Sequence, residues 1–191
     1  MALLALYLAR HGETEWSKTH RHTGRTDIPL RPEGEARARR LGERLGGIDF
    51  TAVYTSPLQR ARRTAELAGF PDPTPTDLLL EYDYGDYEGV TSADIHKTRP
   101  GWELFRDGCP GGETPDQVYG RAGAFIELAE SAGGRVLAFA HGHILRAVGA
   151  AFLEQPVVFA ARLSLDTAAL SLVEDGADRR VLAFWNLAPG Q

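Results

Sequence analysis

The sequence predicts an α/β fold, a three-layer αβα sandwich with a mainly parallel central sheet and helices on both of its faces. Two observations carry this prediction. Short, continuously apolar runs, which are typical of strands buried on both faces, recur along the chain, and segments with apolar residues at helical spacing lie between them. Strands that alternate with helices in this way pack into a sheet that is covered on both sides.

The first part of the chain supplies two strands and the helix between them. Residues 3–8 are continuously apolar, and no basic segment precedes them, so we interpret them as the first strand and not as a signal peptide. Pro32 is placed to open a helix, because small or apolar residues recur at positions 34, 38, 41 and 45. Residues 52–55 are typical of a short second strand.

The next helix is predicted to begin directly after this second strand. Ser56 matches an N-cap, Pro57 matches the first helical position and Gln59 matches the third, which together form a helix-start pattern. The proline-rich residues 71–75 then predict a loop.

The second part of the chain repeats this alternation. Thr114 begins the same capping pattern and predicts a long helix. Residues 135–140 form another buried strand, and the turn at residues 141–143 leads it into a helix. Residues 168–173 and 180–184 are typical of a closing pair of strands.

Residues 1–191 are predicted to form a single domain, because this length suits one hydrophobic core. Residues 82–113 contain many glycines and aromatic residues and show weak periodicity. We interpret them as an excursion from the same domain that covers the active site.

The composition excludes several classes of protein and partner. Apolar residues make up 43% and charged residues 25% of the chain, which excludes a disordered protein. The formal net charge of −5 argues against a nucleic-acid partner, and no apolar run is long enough to cross a membrane. The single cysteine, Cys109, is interpreted as a quiet free thiol and favours a cytoplasmic location. The oligomeric state stays open, with a homodimer as one option.

Two histidines and two arginines stand where strands are predicted to end. His11 and His141 each follow a buried apolar run, Arg10 precedes His11, and Arg60 lies in the first helical turn after the second strand. Ligands of open α/β sheets bind at the carboxyl ends of the strands, so we expect these four side chains in one crevice. Taken alone, each histidine would ordinarily be interpreted as one whose hydrogen bonds are satisfied within the fold, and each arginine as one that is exposed to solvent.

This set of residues suits an anionic, tetrahedral substrate. One neutral imidazole can attack phosphorus, while the arginines and the other imidazole donate hydrogen bonds to the phosphoryl oxygens. The leaving alcohol then needs a proton, and Glu81, which follows the apolar residues 78–80, is the best placed carboxyl group. Desolvation in partly apolar surroundings favours the protonated form of a carboxyl group, which can then act as a general acid.

A metal site is the competing interpretation. His20 and His22, or His141 and His143, together with an acidic third ligand, have a spacing that can hold a transition metal. We predict no metal and no other cofactor. The chain also lacks the glycine-rich dinucleotide loop, the P-loop and the nucleophile elbow.

The motifs around these residues form an ordered series that extends over nearly the whole chain. In order they are Arg10-His11-Gly12-Glu13-Thr14, Thr23-Gly24, Thr55-Ser56-Pro57-Leu58 with Arg60, Glu81 with Tyr84-Gly85, Gly112-Glu113-Thr114, and Ala140-His141-Gly142-His143. The series resembles the histidine phosphatase superfamily, the phosphoglycerate-mutase-like proteins. Within that superfamily the motifs are most similar to those of the sedoheptulose-1,7-bisphosphatase type of yeast.

The resemblance implies a role for each matching position. His11 would be the nucleophile that becomes phosphohistidine, and Glu81 would be the proton donor and later the base that activates water. Arg10, Arg60 and His141 would form the phosphate pocket. A further set of residues would line the substrate side: Ser17, Arg21, Thr23, Gly24, Tyr84 and His143.

The resemblance implies a metal-independent phosphomonoesterase that hydrolyses small phosphate esters, most suitably sugar phosphates. The first alternative is transfer of the phosphoryl group back to substrate, as in cofactor-dependent phosphoglycerate mutases. Those enzymes usually carry asparagine at the positions of Ser17 and His143 and are longer. The second alternative is a binding protein that has kept the pocket without catalysis, against which all five catalytic-type residues argue.

Overall fold

The computed structural model describes residues 3–189, and within them the chain forms an α/β sandwich. Its strands are β1 (Leu3–Arg10), β2 (Ala52–Thr55), β3 (Thr74–Pro75), β4 (Gly134–Ala140), β5 (Leu170–Asp175) and β6 (Arg180–Leu187). Its helices are α1 (Glu15–Lys18), α2 (Pro32–Leu45), α3 (Gln59–Leu67), α4 (Ser92–Thr98), α5 (Leu104–Asp107), α6 (Pro115–Ala132) and α7 (Gly142–Phe152). Short 3₁₀ helices lie at Asp77–Leu79, Gly85–Tyr87 and Val157–Arg162.

The described strands form one six-stranded sheet in the order β3-β2-β4-β1-β5-β6. The pairs β3–β2, β2–β4 and β4–β1 are parallel, whereas β5 pairs antiparallel with both β1 and β6. The prediction of a mainly parallel α/β sheet is therefore confirmed. Because β1 and β4 are adjacent and parallel, their carboxyl ends meet at the same edge of the sheet.

Two hydrophobic clusters cover the two faces of the sheet. On one face Phe125 of α6 and Val148 of α7 pack with Leu6 of β1. On the other face Leu41 of α2 packs with Leu137 of β4. The predicted third layer is thus present, and the strand residues alternate between the two helical layers.

One helix start was predicted wrongly. The helix after β2 begins at Gln59 and not directly after Thr55, because Leu58 has an extended backbone and Ser56 does not cap it. The cap comes from a distant loop, where the carboxylate of Asp27 accepts a hydrogen bond from the Gln59 N–H at 2.9 Å. The hydroxyl of Ser56 instead contacts His141.

The predicted loop at residues 71–75 also differs in part. Thr74 and Pro75 form a two-residue strand at the edge of the sheet, paired in parallel with Tyr54 and Thr55. A proline is tolerated there because an edge strand has one side without a partner strand. The other elements that the sequence predicted begin and end within a few residues of the predicted positions.

Candidate active site

The two predicted histidines lie at the neighbouring ends of β1 and β4. Arg10 pairs with Ala140 across the parallel ladder, so His11 and His141 follow the two strands at the same level. The centroids of the two imidazole rings are 5.1 Å apart, and both side chains are buried. The crevice expected at this edge of the sheet therefore contains both rings.

The two ring nitrogens of His11 differ in their contacts. Its Nδ1–H donates to the carbonyl oxygen of Gly12 at 2.7 Å, which leaves Nε2 as the unprotonated nitrogen. Among the described residues no group bonds to that Nε2. Burial lowers the pKa of His11 well below its ordinary value, and the charges of Arg60 and Arg10 act in the same direction. The ring is therefore a neutral imidazole with a free lone pair.

A close approach of two backbones fixes the chain around His11. Gly12 donates its N–H to the hydroxyl of Thr64 at 3.0 Å. A Cβ atom at position 12 would lie 2.5 Å from the carbonyl oxygen of Gly34, at the beginning of α2. Glycine is therefore required at position 12, and the first turn of α2 holds the loop that carries His11.

His141 has both ring nitrogens engaged by other side chains. The guanidinium Nε of Arg60 donates to Nδ1 at 3.0 Å. The proton therefore sits on Nε2, which donates to the hydroxyl of Ser56 at 2.7 Å. Burial lowers the pKa of His141 well below its ordinary value, with Arg60 contributing next. His141 is thus also a neutral imidazole, but one without a free nitrogen.

Arg60 is fully buried in the first turn of α3 and is held by backbone carbonyls as well as by His141. Its terminal nitrogens donate to the oxygens of Thr26 at 2.8 Å, Thr23 at 3.0 Å and Gly24 at 2.8 Å. Burying this charge would be costly without such acceptors. The loop at residues 23–26 therefore holds the guanidinium in one position.

Arg10 is held by the loop that precedes β5. Its guanidinium donates to the carbonyl oxygen of Leu165, and its Nε has no partner among the described residues. Asn186 of β6 fixes this loop, because its side-chain oxygen accepts from the N–H of Asp166 at 2.6 Å and its amide donates to the Asp166 carboxylate at 3.1 Å. The carboxyl-terminal strand thus helps to place Arg10.

The side chain of Glu81 contacts the amino terminus of α7 and is buried beside the ends of β1 and β4. Its carboxylate accepts hydrogen bonds from the backbone N–H groups of Tyr82 at 2.9 Å, His143 at 3.0 Å and Ile144 at 2.9 Å. A negative group is favoured at a helix amino terminus. The surroundings of Glu81 are therefore richer in hydrogen-bond donors than the apolar run before it indicated.

A cleft of about 250 Å³ opens onto these groups. Of the residues predicted to form the site, eight line it: Arg10, His11, Ser17, Arg21, Thr23, Glu81, Tyr84 and His143. Arg60 and His141 are fully buried beside it. Gly24 is buried as well and contributes its backbone, with its carbonyl oxygen on Arg60 and its N–H on the Glu88 carboxylate at 2.9 Å.

Several of the predicted substrate-side groups already have partners within the protein. The hydroxyl of Ser17 belongs to the capping box of α1, where it accepts from the N–H of Thr14 at 2.8 Å. The hydroxyl of Tyr84 lies 2.5 Å from Nδ1 of His143. Burial raises the pKa of Tyr84 well above its ordinary value and lowers that of His143 well below its ordinary value. Tyr84 and His143 are therefore both neutral near pH 7.

Sequence reasoning missed Ser56 and Arg146 as residues of the site. Ser56 was interpreted as a helix cap. Its role in the site is to accept a hydrogen bond from His141, a contact that only the folded chain shows. Arg146 lines the cleft and lies three residues after His143, on the same face of α7. That helical spacing was the available signal.

The metal interpretation finds little support in the described residues, which contain no group of three or more His, Cys, Asp or Glu arranged to hold a metal ion. Nδ1 of His22 is engaged with the carbonyl oxygen of Val90 at 2.7 Å. Cys109 is a buried free thiol, and burial raises its pKa to about 12, so that the reactive thiolate is disfavoured. Within residues 3–189, none of the helices combines the length and apolar character needed to cross a membrane.

Several solved structures share this fold. The chain aligns with the structure of an open reading frame of Mycobacterium tuberculosis at a TM-score of 0.93 and 37% identity, covering 97% of this chain and 98% of that one. A mycobacterial glucosyl-3-phosphoglycerate phosphatase aligns at a TM-score of 0.84 and 26% identity, covering 97% of this chain and 99% of that one.

Curated relatives point in the same direction. An acid phosphatase of M. tuberculosis is 40% identical over 171 residues, which are 87% of this chain and 84% of that protein. Sedoheptulose 1,7-bisphosphatase of Saccharomyces cerevisiae is 38% identical over 173 residues, covering 73% of this chain and 64% of that protein. A family model of the histidine phosphatase superfamily (branch 1) matches residues 6–188. The chain therefore belongs to the histidine phosphatase superfamily.

Proposed function

We propose that this protein is a phosphomonoesterase that hydrolyses small phosphorylated metabolites, sugar phosphates foremost, through a phosphohistidine at His11. The observation that carries the proposal is the state of the His11 ring. It is a neutral imidazole whose Nδ1–H is fixed on Gly12 and whose Nε2 has no partner among the described residues. It lies beside the partly buried charge of Arg10 and the buried charge of Arg60. A nucleophile for phosphorus needs a free lone pair and nearby positive charge.

In the first proposed step, Nε2 of His11 forms a bond to phosphorus while the bond from phosphorus to the ester oxygen breaks. The leaving alkoxide takes a proton from Glu81, whose carboxyl group lines the same cleft and enters this step protonated, with the proton that a monoanionic phosphate ester brings into the site. In the second step a water molecule gives its proton to the Glu81 carboxylate and attacks phosphorus. The bond to His11 then breaks and inorganic phosphate leaves.

Arg10, Arg60 and His141 would bind the phosphoryl oxygens. Arg60 uses four N–H hydrogen bonds to hold itself in place, and one N–H of its guanidinium stays available. The Nε2–H of His141 would move from the Ser56 hydroxyl to a phosphoryl oxygen when substrate binds. The two arginines supply the positive charge that a metal ion provides in other phosphatases, so we propose that the reaction needs none.

The names of the relatives support the phosphatase class. They include an acid phosphatase, a sugar bisphosphatase and a phosphoglycerate-derivative phosphatase, alongside a probable phosphoglycerate mutase of Salmonella choleraesuis that is 31% identical over 196 residues. We keep residues 82–113 as the proposed cover of the cleft, to which Tyr84 and Ser92 contribute. A cytoplasmic location also remains our proposal, supported by the single free cysteine.

The test is release of inorganic phosphate from a panel of sugar phosphates, nucleotides and phosphopeptides, with and without EDTA. We expect turnover of small esters that EDTA leaves unchanged. Phosphoglycerate isomerisation in the presence of the bisphosphate primer, faster than phosphate release, would replace the phosphatase with a mutase. Binding of phosphate esters with neither reaction would show a binding protein.

A further inference from the structure

Arg60 is a fully buried cation that has no carboxylate in contact with it. Its hydrogen-bond acceptors among the described residues are His141 and three backbone carbonyl oxygens, all of them uncharged. The carboxylates of Glu81, Asp27 and Glu88 act on it only at longer range. Because an isolated buried charge is costly, the way in which one of these carboxylates reaches Arg60 matters for the phosphate pocket.

Arg121 shows the usual arrangement in the same chain. It is partly buried, and its Nε and Nη2 donate to the two oxygens of the Glu113 carboxylate at 3.0 and 2.8 Å. A carboxylate placed in this way on Arg60 would cancel the positive charge that a phosphoryl group needs. We therefore expect the negative charge that balances Arg60 to lie one step further away.

Glu88 lies at that distance, behind the loop that holds Arg60. Its carboxylate accepts from the N–H of Gly24 at 2.9 and 3.0 Å and from the N–H of Thr26 at 3.1 Å. The carbonyl oxygens of these residues and of Thr23 accept from Arg60. The Thr23 carbonyl and the Gly24 N–H belong to one peptide group and point in opposite directions. The dipole of this peptide group thus has the cation at its negative end and the anion at its positive end.

The backbone and one glycine bring Glu88 to this loop. The N–H of Gly89 donates to the carbonyl oxygen of His22 at 2.8 Å, and the N–H of His22 donates to the carbonyl oxygen of Val90 at 3.0 Å. A Cβ atom at position 24 would lie 2.6 Å from Oε2 of Glu88, so the close approach requires Gly24. Of the described residues that line the cleft, Glu88 is not one.

We propose that Glu88 is a positioning residue of the reaction, which holds the loop at residues 23–26 in place and balances the charge of Arg60 through a peptide group. The inference rests on the proposed function, because that function gives Arg60 a phosphoryl group to bind. It also gives the excursion at residues 82–113 a second role. Through Glu88 the excursion would set the position of a phosphate-binding group without touching the substrate.

Two quantities test this role in Glu88→Ala and Glu88→Gln: kcat/KM for p-nitrophenyl phosphate and the inhibition constant of inorganic phosphate. We expect Glu88→Ala to lower the first and raise the second by roughly 10- to 100-fold, the range for a hydrogen bond to a charged group. Glu88→Gln keeps an oxygen that can accept from the loop, so both of its changes should be smaller. A merely structural defect would reduce the active fraction, which lowers kcat and leaves KM and the inhibition constant unchanged.

Asp107→Ala is the matched control. Asp107 is a partly buried carboxylate of the same excursion, and it accepts from the backbone N–H of Glu103 at 2.7 Å. Its other partner is Arg106, and residues 23–26 are not among its contacts. We expect both quantities to stay within about 2-fold of the wild type, since the loss of one net hydrogen bond away from the site leaves Arg60 in place.

A double-mutant cycle with Arg60→Lys tests whether Glu88 acts through Arg60. A lysine cannot donate to the three carbonyl oxygens of the loop in the geometry of the guanidinium. Glu88→Ala should therefore lower kcat/KM by less than about 3-fold in the Arg60→Lys enzyme, since coupled residues have non-additive effects. If Glu88→Ala does not fold, Glu88→Gln takes its place in the same cycle.

An inhibition constant of inorganic phosphate that is equal in the wild type and in the Glu88 variants would overturn the role of Glu88 and leave the phosphatase intact. So would fully additive losses in the cycle with Arg60→Lys. Failure of the wild type to hydrolyse p-nitrophenyl phosphate and the sugar phosphates would instead refute the proposed function, and this inference with it.

Discussion

The two His-Gly turns that end β1 and β4 look alike in the sequence but differ in the structure. Both follow a buried strand, and both imidazoles are buried and neutral. In His11 the Nδ1–H is fixed on a backbone carbonyl and Nε2 is free. In His141 side chains engage both nitrogens, Arg60 on one side and Ser56 on the other.

This difference teaches that the partners of a ring, more than its position in the fold, decide what it can do. A free nitrogen with a fixed tautomer suits attack on phosphorus. A ring held from both sides has no lone pair left for attack, but it can present a proton to an anion. We therefore assign nucleophilic attack to His11 and stabilisation of the phosphoryl group to His141.

The largest effect should come from exchanging the two histidines for alanine one at a time. We expect His11→Ala to lower kcat by at least about 10⁴-fold, since no other group replaces a nucleophile. We expect His141→Ala to lower it by roughly 10²- to 10³-fold, as for loss of one oxyanion donor. Steady-state hydrolysis of p-nitrophenyl phosphate measures both. A His11→Ala enzyme with more than about 1% of wild-type activity would break the comparison.

Glu81 extends the comparison to the proton that the leaving group needs. Glu81→Gln should lower kcat/KM for an alkyl phosphate by roughly 10²- to 10⁴-fold, the range of general acid catalysis. It should lower kcat/KM much less for a nitrophenyl phosphate, whose leaving group departs without a proton. The two substrates serve as each other's control in one variant. Equal losses on both would mean that Glu81 only positions the amino terminus of α7.

The smallest effect is on stability and tests whether both rings are neutral. Burial lowers the pKa values of His11, His141 and His143 well below that of an unfolded histidine, near 6.5. Below pH 6.5 the unfolded chain therefore binds more protons than the folded chain. The free energy of unfolding then decreases as the pH is lowered. Each such histidine contributes about 1.4 kcal/mol per pH unit.

Urea unfolding at several pH values measures this slope. His11→Asn and His141→Asn should each reduce this slope by about 1.4 kcal/mol per pH unit. His20→Asn, which changes an exposed side chain, should leave the slope unchanged. A free energy of unfolding that stays constant from pH 7 to pH 5 would contradict the neutral assignment.

The longer strands, the long helices and the meeting of the two histidines were predictable, because apolar periodicity and the rule for strand ends are local or nearly local signals. The start of α3 was not, because its cap is Asp27, 32 residues earlier in the chain. The partners of His141 and the hold of Asn186 on the Arg10 loop depend on contacts between distant segments in the same way. Their residue types are visible in the sequence, but their pairing exists only in the folded chain.

The central claim, that His11 and not His141 accepts the phosphoryl group, is tested most directly by trapping the covalent intermediate. The enzyme is mixed with a ³²P-labelled phosphate ester and quenched in alkali, where phosphohistidine survives, and the labelled residue is located by peptide mass spectrometry. The account predicts acid-labile phosphate on Nε2 of His11 in the wild type and in His141→Ala, and none in His11→Ala. Label on His141, or turnover in His11→Ala with full release of phosphate, would contradict it.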